Sequence, residues 1–404
     1  MKIEKLLRQL LRNSFSSRKF FLFFSYLVFF LVVLGYSLTV PLRGQISFGA
    51  NYLSDDGVVY AKNALILSGM SELSACEIVQ EKWQKLGNYN VEPCKKDQQN
   101  QLIEQLYKPR YIYPFLISVT APFLGINSIF ITSIILFFIL FSLQVRISTL
   151  LNNLNFRLNL LTSIILLTNV YFIKLNLSST GTDVILSLLI IFLFYGVITN
   201  ISSINIILLS VILSIISTFN KQTQIFWIIF SLTVLISLIF QKTEAKKKLI
   251  ISSFVILITQ VISIVYTELN WESVKVARSI GFYPHLLIGS PTDFISNTYT
   301  ALSRIVINDT ATILTKNFSN LITFISLPAL YIFSRINLGF TSKEKENINL
   351  VLIFANATLV ACVSNAYISG YGNSNLRFYL PFIVFSFFSV VLSLQGFFRL
   401  NKTL

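Results

Sequence analysis

The polar positions of the chain fall in islands between long apolar runs. The first run covers residues 20–40 and follows a basic segment, Lys2, Lys5, Arg8, Arg12, Arg18 and Lys19 against the single acid Glu4. Further runs lie near 126–145, 158–175, 182–199, 203–219, 224–240, 249–267, 313–333, 348–368 and 378–397. A helix needs roughly 20 apolar residues to cross a hydrocarbon layer of about 30 Å. The pattern therefore predicts an all-α polytopic membrane protein with about ten transmembrane helices. A strand barrel would alternate apolar and polar positions over segments of ~10 residues, and these runs are continuous.

The islands predict shorter elements. Residues 41–112 form a structured hydrophilic loop, with Ser54, Asp55 and Asp56 opening a helix over 58–67 that Gly69 ends. The stretch Tyr107-Lys108-Pro109-Arg110-Tyr111-Ile112-Tyr113-Pro114 predicts a membrane-surface junction leading through 115–124 into the second span, because tyrosines suit the interface and prolines interrupt the backbone. A second large loop covers 268–312. The phenylalanines, spaced along the spans, read as lipid-facing surface.

Composition supports this reading. Charged residues make up 12% of the chain and hydrophobic ones 54%, whereas soluble domains carry about 25% charged residues. The net charge of +15 would suggest nucleic acid in a soluble protein. Here the bases sit in short loops, at Arg146 and Arg157, at Lys242, Lys246, Lys247 and Lys248, at Arg335, Lys343 and Lys345, and at Arg399 and Lys402. Loops rich in Lys and Arg stay on the cytoplasmic side, so both termini are expected there. The first run is too long for a cleaved leader and lacks a small-residue cleavage site, and it reads as a signal anchor. A single histidine, His285, removes His-cluster metal sites from consideration. Cys76 and Cys94 share the first loop and are either bridged or free thiols, while Cys362 lies in an apolar run.

With that topology, five outer segments gather acids and bases on one face: Asp55 and Asp56, Lys108 and Arg110, Asp183, Lys221, and Arg377. A carboxylate can take a proton from an acceptor hydroxyl. Arg and Lys can neutralise a leaving phosphate. Each residue also has a plainer role: helix-start acids for the aspartates, and interface anchors for the bases. Walker and GxGxxG motifs are absent, so no soluble nucleotide-binding fold is expected.

The order of these features resembles the GT-C class of integral-membrane glycosyltransferases, in particular the branch with protein mannosyltransferases and lipid A aminoarabinose transferases. Asp55-Asp56-Gly57-Val58-Val59-Tyr60 resembles its acidic motif after the first span. Tyr111-Ile112-Tyr113-Pro114 is similar to its Tyr-Pro junction, and Ser179-Thr180-Gly181-Thr182-Asp183 to an acid opening a span. Phe219-Asn220-Lys221-Gln222-Thr223 matches a Thr-Lys-type turn, and Arg377-Phe378-Tyr379-Leu380-Pro381 an Arg-aromatic-Leu-Pro motif. The chain departs from the pattern in lacking a second proline after Tyr-Pro and in having Asp-Asp where Asp-Glu is common. Residues 249–370 match no motif of the class.

The resemblance implies transfer of a sugar from polyprenyl phosphate to a hydroxyl or amine of a glycan, lipid or protein acceptor; the loop charges place the site on the outer face, and the simple loops without a eukaryotic sorting tail favour a bacterial inner membrane. It implies Asp55 and Asp56 as the catalytic pair, with a divalent metal ion on them if any cofactor is used. Arg377, Lys221, Arg110 and Lys108 become phosphate-binding candidates, and Tyr60, Tyr113 and Asp183 further site candidates. The chain is read as one integral-membrane domain: the first span, the catalytic loop 41–112, core spans over 113–240, and C-terminal spans over 241–404. The competing readings are a polysaccharide polymerase or ligase, and a transporter or flippase of lipid-linked sugar. A transporter would show mid-span charges or an internal repeat, and neither is clear.

Overall fold

The computed structural model describes residues 18–42, 55–85, 109–151, 156–167, 181–221, 223–270, 318–336, 340–368 and 379–403, together with positions 296, 299 and 303. The elements described are helices: α1 (Arg18–Leu42), α2 (Asp55–Leu67), α3 (Glu72–Lys85), α4 (Ile112–Ser118), α5 (Ala121–Leu124), α6 (Ser128–Leu151), α7 (Phe156–Leu167), α8 (Gly181–Ile198), α9 (Ser203–Lys221), α10 (Gln224–Phe240), α11 (Lys246–Asn270), α12 (Phe318–Arg335), α13 (Ser342–Ile368) and α14 (Leu380–Thr403). Each predicted apolar run coincides wholly or in part with one of them. Six stretches are long and apolar enough to cross a membrane: Ala121–Leu151, Gly181–Ile198, Ser203–Asn220, Lys246–Thr267, Ser342–Asn365 and Leu380–Leu400. This is the make-up of a multi-pass helical membrane protein.

The bundle is built around α8 and α14, the most enclosed of these stretches. α8 packs against α6, α9 and α14, while α14 also meets α7, α12 and α13. An aromatic knot fills the centre, with Phe194 of α8 at 4.7 Å from Phe385 of α14 and 4.9 Å from Phe354 of α13, ring centroid to centroid. Phe230 of α10 reaches Phe354 at 5.6 Å. The expectation that phenylalanines form lipid-facing surface is thus corrected. Phe123 and Phe240 are exposed, but Phe29, Phe137, Phe194, Phe230, Phe354 and Phe382 are core. Hydropathy cannot separate the two, because lipid tails and a packed interior are equally apolar.

Helix ends follow local chemistry more closely than hydropathy. α2 stops at a Schellman turn, in which Met70 N–H bonds the Leu65 carbonyl, Gly69 N–H bonds that of Ile66, and Gly69 takes φ +100°. Ser71 then caps α3, its Oγ accepting from Ser74 N–H at 3.1 Å. The predicted surface helix over 115–124 is two short helices, α4 and α5, because Pro122 has no N–H to continue the ladder.

Polar contacts divide the bundle into two ends. At one end Asn347 Nδ2 donates to the Leu151 carbonyl at 3.1 Å, Thr243 Oγ1 donates to Glu346, and Lys248 donates to Asn200. Glu344 there accepts from Arg399 and from Gln395 Nε2. Arg146, expected in a loop, is instead inside α6, its guanidinium 5.2 Å from the Tyr195 ring centre. The opposite end holds α2, α4 and the start of α8.

Candidate functional site

The site is assembled from four separate stretches. In α2, Tyr60 is fully buried, held by apolar neighbours Val58, Ala61 and Ala64 in the same core. Arg110, two residues before α4, is 7% exposed and donates from Nη1 to the Tyr60 hydroxyl at 3.3 Å. An interface-anchoring role for Arg110 does not fit that burial, since an anchor keeps its charged head in water. Tyr113 of α4 meets Tyr60 edge to face, centroids 5.4 Å apart at 86°. Such pairs contribute about 0.5–1.5 kcal/mol beyond their buried area.

Tyr113 ties this group to α8. Ser133 Oγ donates to the Ile129 carbonyl at 3.0 Å, so the Tyr113 hydroxyl donates to Ser133 Oγ at 2.9 Å. The same phenol oxygen accepts the Gly181 backbone N–H at the start of α8. Burial pushes the Tyr113 phenol well above its ordinary value, which keeps it a neutral hydrogen-bonding group and not a base. A Cβ on Gly181 would stand 2.3 Å from Tyr113 Cε2, so only glycine lets the ring this close to the helix start.

Asp183 follows two residues later, 4% exposed in the first turn of α8. Asn220, the residue before Lys221, is fully buried and donates from Nδ2 to the Thr182 carbonyl at 2.7 Å. A run of buried hydroxyls and amides continues from there. Ser217 and Thr223 share a hydrogen bond, Thr218 Oγ1 lies 2.7 Å from Ser263 Oγ, and Gln224 Nε2 donates to Ser263 at 3.4 Å.

The structure therefore brings together Tyr60, Arg110, Tyr113 and the start of α8 with Asp183, and it sets the end of α9 with Lys221 beside that start. Asp55 and Asp56 form the first turn of α2 and Lys221 the last position of α9, but their side chains lie outside the described residues. Lys108, Arg377, Cys94 and most of the 268–312 loop lie outside them as well. Among the described residues no three His, Cys, Asp or Glu side chains are grouped as metal ligands.

Sequence reasoning did not single out every buried polar residue near the site. Lys62 is 4% exposed and lies 4.0 Å from Glu72 Oε1 at the start of α3. Its signal was its spacing, since it stands seven residues, or two helical turns, after Asp55 on one face of α2. Cys76 on α3 is disulfide-bonded and Cys362 is free. No protein-family model, no curated protein and no solved structure matches the chain.

Proposed function

We propose that the chain is a GT-C-type glycosyltransferase that moves a sugar from polyprenyl phosphate to an acceptor hydroxyl or amine. The observation that carries the reading is the convergence at one bundle end of stretches far apart in sequence. The tyrosine of the acidic motif, the arginine and tyrosine of the Tyr-Pro junction and the acid opening α8 are linked through Arg110–Tyr60, Tyr60–Tyr113 and Tyr113–Gly181.

In this mechanism Asp55 takes the acceptor proton as the acceptor atom attacks the anomeric carbon. The bond from that carbon to the phosphate oxygen breaks, and polyprenyl phosphate leaves with the electron pair. Direct displacement inverts the anomeric configuration. Arg377, Lys221, Arg110 and Lys108 offset the charge growing on the phosphate. Asp56 assists the base, and the same two carboxylates are the ones that would hold a divalent ion.

The proposal includes ten spans, cytoplasmic termini and an outward-facing site in a bacterial inner membrane. The disulfide at Cys76 on α3 supports this, because disulfides persist in oxidising compartments. So do the lysines of 242–248 at the opposite end.

The test is Asp55→Asn in membranes supplied with sugar-loaded polyprenyl phosphate. The expected result is loss of sugar-free polyprenyl phosphate release by at least about 10²-fold at wild-type expression, the scale of a lost general base. Release at the wild-type rate overturns the assignment.

A further inference from the structure

Two neutral polar groups where the end of α9 meets the start of α8 are left over from the network. Asn220 is held by its Nδ2 bond to the Thr182 carbonyl, and its Oδ1 has no hydrogen-bond partner among the described residues. Thr182, 1% exposed, has an Oγ1 in the same condition. A buried polar atom left unpaired is costly, so neighbouring ones invite a ligand. A comparable pair, Ser214 Oγ and Gln260 Oε1, lies deeper between α9 and α11, where polar side chains serve helix packing. The Thr182–Asn220 pair differs in place. Asp183 follows Thr182, Lys221 follows Asn220, and Gly181 N–H reaches the Tyr113 hydroxyl.

The chemistry of the pair selects its ligand. A carboxamide oxygen only accepts, so it repels a phosphate oxygen. A threonine hydroxyl both donates and accepts. Together they suit a group that also donates and accepts, and a sugar hydroxyl is such a group. We infer that Thr182 and Asn220 read a hydroxyl of the transferred sugar and set sugar specificity, while the bases set affinity for the lipid phosphate. The inference rests on the polyprenyl-phosphate-sugar reading above.

Thr182→Val is the clean probe, since it removes Oγ1 and leaves the carbonyl that Asn220 binds. Affinities of wild type and variant in nanodiscs are measured for bare polyprenyl phosphate and for the same lipid carrying a glucosyl, mannosyl or N-acetylglucosaminyl group. Wild type is expected to prefer at least one loaded lipid over the bare one. The variant is expected to lose about tenfold of that preference with bare-lipid affinity unchanged. An unchanged preference, or an equal loss for bare lipid, overturns the inference. So does a wild type that binds bare and loaded lipids alike, although the donor reading then stands. A wild type that binds none of these lipids sinks the donor reading and the inference with it.

Discussion

Gly181 and Tyr113 are the residues on which the site's geometry turns. The ring fills the space a Cβ would need, and its hydroxyl accepts the Gly181 N–H while donating to Ser133. Gly181→Ala must move a buried ring or the start of α8, at a cost of about 1–3 kcal/mol for overpacking. The expected outcome is a lowered melting temperature in detergent, with a smaller penalty in a Tyr113→Leu background, where the ring is gone. Equal penalties in both backgrounds would show that the contact does not matter. The partners were legible in part. Tyr60 and Tyr113 entered as candidates through the motifs of the resemblance, and Asp183 through those motifs and its place among the acids and bases of the expected outer face. Thr182, Asn220 and Lys62 did not. The first two are neutral and short, and Lys62 shows its meaning only once α2 is known to be buried on that face.

At the scale of the element, the N-terminus of α13 shows what hydropathy overlooks. The sequence reading began this span at residue 348, where the apolar run starts. The helix begins at Ser342, because Thr341 and Glu344 form a capping box. Thr341 N–H donates to Glu344 Oε2 at 2.8 Å, and Glu344 N–H donates to Thr341 Oγ1 at 3.3 Å. The Thr-x-x-Glu spacing was visible in the sequence and is the better boundary signal. The other oxygen of Glu344 accepts from Arg399, whose guanidinium lies 4.7 Å from the Phe340 ring centre. One carboxylate thus both starts α13 and fastens the last turns of α14. Thr341→Val is expected to cost about 1 kcal/mol as a lost cap. Arg399→Leu is expected to cost more, because it strips the counter-charge from a carboxylate that is 2% exposed. Melting temperatures of the two variants in one detergent check the order, and a milder Arg399→Leu would refute it.

For the whole molecule, the helical class and the membrane setting were legible because runs of apolar residues report them directly. The pairing of helices was not, since every span offers the same apolar surface to a neighbour. Polar contacts settle which ends lie together. The 25-residue helix α11 runs between them, from the loop with Lys242 to the neighbourhood of Ser263 and Thr218. At about 1.5 Å per residue that is long enough to cross some 30 Å of hydrocarbon. Glu244 and Asn270 are exposed at its two ends. With Cys362 buried and Cys76 disulfide-bonded, cysteines placed at 244 and 270 can be labelled selectively. In spheroplasts, a membrane-impermeant maleimide is expected to label Asn270→Cys, and to label Glu244→Cys only after lysis. The reverse pattern would turn the molecule over and leave the carboxylate-bearing end in the cytoplasm, away from the proposed acceptors. Labelling of both before lysis would show that α11 does not span at all.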